Sequence, residues 1–503
     1  MNLYSAFREA FPKDLGRVCL ETDKGREVTY REIDEASARI AGLLHKQGVQ
    51  PGERVTVQVD KSPEALFLYL GCLRAGVIYM PLNSGYTAAE LDYFLGDAKP
   101  SLVVSTPKAF GEMQQLAAKA GCKTVLTLDA DGKGSLTDEA AKAEPSNAIA
   151  PTDADDVAAM LYTSGTTGRS KGAMLTHRSL VSNAQTLTAS WGFTRDDVLL
   201  HTLPIFHVHG LFVAFGCALL SQAKMLFHPA FDADKALAAM DRATVFMGVP
   251  TYYTRLLANA GLTKEKVKGM RLFVSGSAPL LAETFSAFHE RTGHHILERY
   301  GMTETGMNSS NPLKGERRLG TVGFPLPGVE LRIADDQGRE VLNGETGIIE
   351  VRGPNVLKGY WNNPEKTAAA FRADGFFVTG DVAKIDSDGY VVIVGRASDM
   401  IISGGYNVYP KEIETVIDEM EGVGESAVIG VPHPDFGEGV VAVVRTLPGK
   451  SHPQESEIIA ALKKELAGYK VPKKVLFVED LPRNAMGKVV KAELRKANAK
   501  LFG

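Results

Sequence analysis

Between residues 30 and 82 the apolar positions change period several times. Residues 30–47 carry them at the three- and four-residue spacing of an amphipathic helix, followed by a strand at 54–58. Residues 62–75 predict a second helix leading into a strand at 77–80, and the strand signal returns at 102–105 and 124–128. Strands alternating with helices in this way pair in parallel and are covered on both faces. Residues 132–155, rich in Ala, Lys, Glu, Asp and Gly, read as a surface connection. Beyond about residue 315 short apolar runs at 330–333, 347–351 and 390–394 lie between Gly, Asp and Asn turns, the pattern of antiparallel, barrel-like structure. The last part is mixed again, with helices expected at 411–419 and 455–466 and strands at 425–431 and 439–444. A domain boundary is expected within 385–400, where Asp, Ser and Gly cluster. No internal repeat or low-complexity tract interrupts the chain.

A chain of 503 residues has room for several cores at about 150 residues per domain. With 44% hydrophobic and 23% charged residues its composition is that of an ordinary globular protein. A net charge of -4 supplies no field that would attract nucleic acid or an anionic membrane, so an anionic ligand has to be held by local cations. The four cysteines, Cys19, Cys72, Cys122 and Cys217, show neither CxxC nor Cys/His spacing, which points to a reducing compartment. Glu9 and Asp14 near the N-terminus argue against a leader. The apolar run at 211–220 is much shorter than the roughly 20 residues of a spanning helix. A cytoplasmic protein is expected.

The densest chemical signal is Thr163-Ser164-Gly165-Thr166-Thr167-Gly168-Arg169-Ser170-Lys171, preceded by an apolar strand. Such a loop offers N–H groups and hydroxyls to phosphate oxygens, with a lysine adding charge. It is not a Walker A loop, because Ser170 and Gly172 flank Lys171 where that pattern needs Gly and then Ser or Thr. In Glu298-Arg299-Tyr300-Gly301-Met302-Thr303-Glu304, the Glu304 carboxylate suits Mg²⁺ and Thr303 a phosphate oxygen. Thr379-Gly380-Asp381, then Gly395-Arg396, then Ser403-Gly404-Gly405-Tyr406 follow, and Asn484-Ala485-Met486-Gly487-Lys488 closes the series. Asp381 is suited to ribose hydroxyls and Lys488, on a glycine-containing loop, to a phosphate. Singly each reads as an ordinary turn; their order carries the weight.

In this order and spacing the blocks resemble the superfamily of acyl-CoA synthetases, luciferases and peptide-synthetase adenylation domains, from Tyr30 to Lys488. The resemblance implies an α/β fold with a large N-terminal domain of helix-covered parallel sheets plus a small barrel-like β subdomain, residues 1–397. It also implies a small, mobile α+β C-terminal domain, residues 398–503, rotating about a hinge at Ser398 and Asp399. The implied substrates and cofactors are ATP, Mg²⁺ and coenzyme A, used to form an acyl-adenylate and then a thioester. Residues 163–171 would hold the phosphates, and Thr303 and Glu304 the phosphate and the metal. Ser277, Ala278, Glu298 and Tyr300 would flank adenine, and Asp381 and Arg396 would take the ribose. Lys488 would act in adenylation and His207 as a gate, while Gly404, Gly405 and Tyr406 would line the pantetheine path. The resemblance further implies that protein acetyltransferases and deacetylases act on Lys488, on a loop expected to be exposed.

The acid is addressed by Arg255, on the helix after Pro250, and Arg299, both cations where relatives handling fatty or aromatic acids are apolar or small. A cation facing an acyl chain is costly to bury unless the ligand brings an anion. The blocks around His207, Ser277 and Arg299 resemble the malonate-activating members of the superfamily. That implies malonate, with methylmalonate accommodated if Val208 and Met307 leave room at the α-carbon. Three alternatives stay open: Arg299 paired with a structural carboxylate, Arg255 facing solvent, and His209 as a packed, hydrogen-bonded histidine. Other short acids, and a carrier protein in place of CoA, are the rival acceptors.

Overall fold

The helix–strand alternation assembles two large sheets in the computed structural model, which describes residues 1–163, 170–484 and 487–503, with Asn407 described by its backbone alone. One sheet has nine strands. Its parallel run is Val18–Thr22, Lys224–Phe227, Val198–His201, Val245–Gly248, Leu272–Ser275 and Leu297–Met302. Antiparallel strands close both edges, Glu27–Thr29 on one side and Gly306–Ser310 with Phe324–Pro325 on the other. The second sheet has seven strands, parallel through Val157–Thr163, Ile78–Pro81, Arg54–Gln58, Leu102–Ser105 and Val125–Thr127. The strands Lys171–Thr176 and Gly359–Tyr360 extend it antiparallel. The helix Pro63–Arg74 is buried all round, as its nearly unbroken apolar sequence requires, and one apolar cluster joins it to both sheets. Ser62 caps it by accepting from the Ala65 N–H, with Pro63 at the first helical position.

Two expectations need correction. Residues 132–155 do not simply run over the surface: Ser135–Ala141 forms a helix that buries Leu136 and Ala140. The Glu144 carbonyl then lies so close to Gly42 that a Cβ there would stand 1.9 Å away. The apolar stripe Leu136, Ala140, Ala143 is too thin to emerge from its polar neighbours. The strand Phe377–Ile385 was also not anticipated, because Thr379-Gly380-Asp381 breaks its alternation where the ladder with Gly347–Arg352 bulges. It is central in a four-stranded antiparallel sheet with Glu330–Ala334, Gly347–Arg352 and Val391–Arg396. The chain then turns through Ala397–Asp399 into a five-stranded sheet built from Tyr406–Val408, Ile401–Ser403, Gly437–Thr446, Val423–His433 and Lys474–Val478. This last sheet has its own apolar clusters. All four cysteines are buried and unpaired, and among the described residues no helix is long and apolar enough to cross a membrane.

At the N-terminal ends of three parallel strands a polar clamp fixes the nine-stranded sheet. Arg271 holds Asp197 through Nε–Oδ1 at 2.6 Å and Nη2–Oδ2 at 2.8 Å, and the Thr244 hydroxyl donates to Asp197 Oδ1 at 2.8 Å. Burial works to raise the Asp197 carboxyl, but the bonds from Arg271, the Thr194 N–H and Thr244 outweigh it and hold it below the usual range. A depressed carboxyl contributes stability above its unfolded pKa of about 4, lost as pH falls through the lower folded value. Asp197→Asn, which leaves Arg271 without its anion, is expected to destabilise the fold by about 3 kcal/mol at neutral pH, read from urea melts. Equal melts for the two proteins would show that the clamp is dispensable.

Candidate active site

The opposite, C-terminal ends of the parallel strands carry the motif residues, where open α/β sheets bind ligands. Thr163 ends one strand, and its hydroxyl donates to Glu304 Oε1 at 3.2 Å. The Tyr360 hydroxyl donates to the same oxygen, also at 3.2 Å, and Lys171 Nζ lies 4.6 Å from the centre of the Tyr360 ring. Tyr360 has no sequence signature; the short strand Gly359–Tyr360 brings it in by pairing with Lys171–Thr176. Ser164, Gly165, Thr166, Thr167 and Gly168 lie outside the described residues. The turn bearing Thr303 and Glu304 is braced from behind by buried amides. Asn183 exchanges two bonds with the Met307 backbone at 2.9 and 3.0 Å, and Asn355 donates to the Thr305 carbonyl at 2.7 Å.

A second group surrounds Tyr300. Its hydroxyl donates to Asp381 Oδ2 at 2.5 Å, while Arg396, paired across the ladder with Asp381, reaches Oδ1 at 2.9 Å. Glu298 is buried and accepts from the Leu280 N–H at 3.1 Å; burial pushes its carboxyl up to about 7. Ser277 holds φ +71°, a left-handed conformation that a non-glycine residue adopts at a cost, in the turn that also carries Ala278.

Arg299 is 2% exposed, and its Nε and Nη2 have no hydrogen-bond partner among the described residues. No acidic side chain pairs with it among the described residues. Burial brings it down to about 10, so it stays charged at neutral pH. Room for the guanidinium comes from Gly276, where a Cβ would stand 2.6 Å from it. Its charge and that of Lys488 add to burial in holding His207 down to about 3. Val208 and Met307 are buried here, and Met307 packs on Gly301. His209 is buried as expected but is not hydrogen-bonded through its side chain: both ring nitrogens lack partners. Ser275 Oγ, next to Gly276, also lacks one.

Lys488 reaches this group from the five-stranded region. Its loop closes through Asn484 N to the Lys488 carbonyl at 2.9 Å and Lys488 N to Asn484 Oδ1 at 3.0 Å, and Arg483 pairs with Glu425. Gly487, at φ +73°, lies against Thr251, where a Cβ would be 3.2 Å from the hydroxyl. Gly487 therefore rests on the large region, while Asn484 and Lys488 on the same loop are exposed, as expected from sequence. The ammonium keeps contact with the open cleft, yet partial burial and then the Arg396 charge bring it down to about 8. Arg255 is exposed and has no partner among the described residues; it lies one turn along the helix Pro250–Ala258 from Thr251 and so on the same face. It does not join Arg299 in the buried group. Gly404, Gly405 and Tyr406 form an exposed turn with Tyr406 stacked on Tyr469 at 4.5 Å. Ser398 and Asp399 lie in the turn between sheets, with Arg495 donating to Asp399 Oδ1 at 2.8 Å.

This constellation is that of a nucleotide-binding, acid-activating enzyme, and the chain belongs to the AMP-binding enzyme family, which it matches over residues 7–361. Residues 412–488 match the AMP-binding enzyme C-terminal domain. The structure is similar to ATP-bound MatB from Rhodopseudomonas palustris, with a TM-score of 0.97 and 54% identity over 100% of both chains. Among curated relatives it is 36% identical to the malonate–CoA ligase of Arabidopsis thaliana, over 99% of this chain and 89% of that one. It is 38% identical to the feruloyl-CoA synthase of an Amycolatopsis species, over 94% of each.

The lysine carries a pH prediction. A lowered ammonium loses its proton as pH rises through about 8, so kcat/KM for pyrophosphate release is expected to fall on the alkaline side near that pH. Lys488→Arg should move the limb upward, since guanidinium stays protonated. A profile that is flat to pH 10 in wild type would exclude Lys488 as the titrating group.

Proposed function

We propose that the protein joins malonate to coenzyme A, consuming ATP and releasing AMP and pyrophosphate through a malonyl-adenylate. The observation that carries this reading is Arg299, a charged guanidinium buried with two N–H sites unused. A monocarboxylate would leave it unpaired in a desolvated pocket; a second carboxylate satisfies it through two parallel bonds. Identity to these two curated relatives does not by itself choose the acid, because the malonate and feruloyl enzymes match this chain almost equally. The same pocket, with Val208 and Met307 near the α-carbon, is proposed to admit methylmalonate.

The first half-reaction brings two anions together, so the residues act by positioning and neutralising charge. One malonate carboxylate oxygen attacks the α-phosphorus, and the bond to pyrophosphate breaks. Residues 163–171, with Lys171 and Thr303, hold the phosphates. Glu298 and Tyr300 with Ser277 and Ala278 flank adenine, and Asp381 and Arg396 hold the ribose. Lys488 stands between the attacking carboxylate and the α-phosphate, with His207 beside it. Among the described residues no three His, Cys, Asp or Glu cluster as metal ligands. The single carboxylate of Glu304 fits Mg²⁺, an ion usually held by one or two carboxylates and by substrate phosphates. When bound, that ion neutralises charge on the β- and γ-phosphates.

In the second half-reaction the CoA sulfur bonds to the acyl carbon, AMP leaves with the carbon–oxygen electron pair, and the thiol proton passes to solvent. Residues 398–503 are proposed to turn about Ser398 and Asp399 against residues 1–397, withdrawing Lys488 and bringing Gly404, Gly405 and Tyr406 to the pantetheine. Acetylation of Lys488 would abolish its charge and the first step while sparing the second. The unpaired cysteines fit a reducing compartment such as the cytoplasm.

The test is acid-dependent pyrophosphate release with malonate, methylmalonate, acetate, propionate, octanoate and benzoate, in wild type and Arg299→Ala. The variant is expected to lose about 3–5 kcal/mol of transition-state binding, a factor of several hundred or more, with malonate. A wild type that prefers acetate or longer acids would sink the dicarboxylate reading and leave the ligase chemistry standing.

A further inference from the structure

We infer that the imidazole of His209 completes the site for the distal carboxylate beside Arg299 and so sets the preference for a dianionic acid. The inference rests on the choice of acid made above and names a second group that recognises it.

His209 is 1% exposed, and neither Nδ1 nor Nε2 has a partner among the described residues. Buried polar atoms are almost always satisfied, and an exception calls for an explanation such as a ligand that is absent. Packing does not supply one here, because the turn is held in place without the help of the His209 side chain. A Cβ on Gly210 would stand 2.1 Å from the Pro204 carbonyl, so the backbone passes where only glycine fits. The Gly210 carbonyl is bonded to His201 Nε2 at 2.9 Å. His201 is bonded in turn to Lys61 Nζ, at 2.9 Å through both its Nδ1 and its carbonyl oxygen. Lys61 lies over the Phe227 ring at 4.3 Å. The His209 N–H reaches His207 Nδ1 at 3.3 Å, and a wide π-turn, a form common at functional sites, begins at His209 itself.

The ring thus projects from a braced turn, and the charge that acts on it most strongly is Arg299. Burial and that charge keep the imidazole neutral, so it presents one N–H donor. The Arg299 fork can take two oxygens of one carboxylate. A carboxylate accepts at about four lone-pair sites, so after Arg299 has taken two there is still an acceptor site for His209. A monoamide of the same acid offers Arg299 and His209 a single acceptor oxygen and no charge.

The experiment compares kcat/KM for malonate with that for its monoamide in wild type, His209→Leu and His209→Gln. Wild type should favour malonate strongly. His209→Leu should lower that ratio by about 10- to 100-fold, mainly through KM for malonate, with KM for ATP unchanged, and His209→Gln should restore much of it. Calorimetric ATP binding reports whether each variant is folded. If His209→Leu is not, His209→Met, a flexible apolar filler, carries the same prediction. A folded apolar variant that keeps the wild-type ratio and malonate KM overturns the role of His209 while the malonate reading survives. A wild type indifferent between malonate and the monoamide overturns both.

Discussion

A guanidinium buried without an anion is the constraint on which this active site depends. Arg299 sits within Leu297–Met302, the last strand of the parallel run, out of reach of bulk water, and among the described residues its Nε and Nη2 face no acceptor. Holding a charge in that state is expensive. The neighbouring sequence adapts to it: Gly276 gives up its side chain volume, and His207 and His209 are kept neutral. In the proposed reading, such a pocket rejects an apolar acid by leaving the charge unpaired and accepts a dicarboxylate by pairing it, so that specificity follows from an electrostatic deficit rather than from shape alone.

Stability and chemistry occupy opposite ends of the same strands. At the N-terminal ends Asp197, Thr244 and Arg271 are fully engaged with one another and tie three strands together. At the C-terminal ends polar atoms are left unpaired or strained, as with Ser275, His209 and Ser277. Such unsatisfied groups persist because the surrounding structure over-determines them. Here the bracing comes from Asn183 and Asn355 behind the Thr303 turn and from Lys61 and His201 behind the His209 turn.

The lysine of the site comes from a different sheet. Its loop is held by Arg483 on Glu425 and by Gly487 against Thr251, a small contact for bringing a charge into the cleft. Such a contact suits a part proposed to leave between two half-reactions. The Arg495–Asp399 pair lies at the turn about which that motion is proposed.

Period and composition determined the layered α/β class and most element positions, because burial on a sheet or helix face imposes its repeat on the chain. Residues 54–58 and 102–105 matched their observed strands to the residue, while the helix Ser135–Ala141 and the strand Phe377–Ile385 escaped. The glycine- and hydroxyl-rich loops and the order of Glu304, Asp381, Arg396 and Lys488 were legible because each motif is local. What only the tertiary structure decided is which charges are left unpaired. Arg255 and Arg299 look alike in the sequence, yet one is exposed and the other is buried without an anion. Tyr360 and Gly276 carried no signal, since each acts through a neighbour distant in the chain, and His209 was legible as a packed histidine but not as one without a hydrogen bond. Satisfaction of a polar group is a property of the space around it, and that space exists only once the sheets have packed.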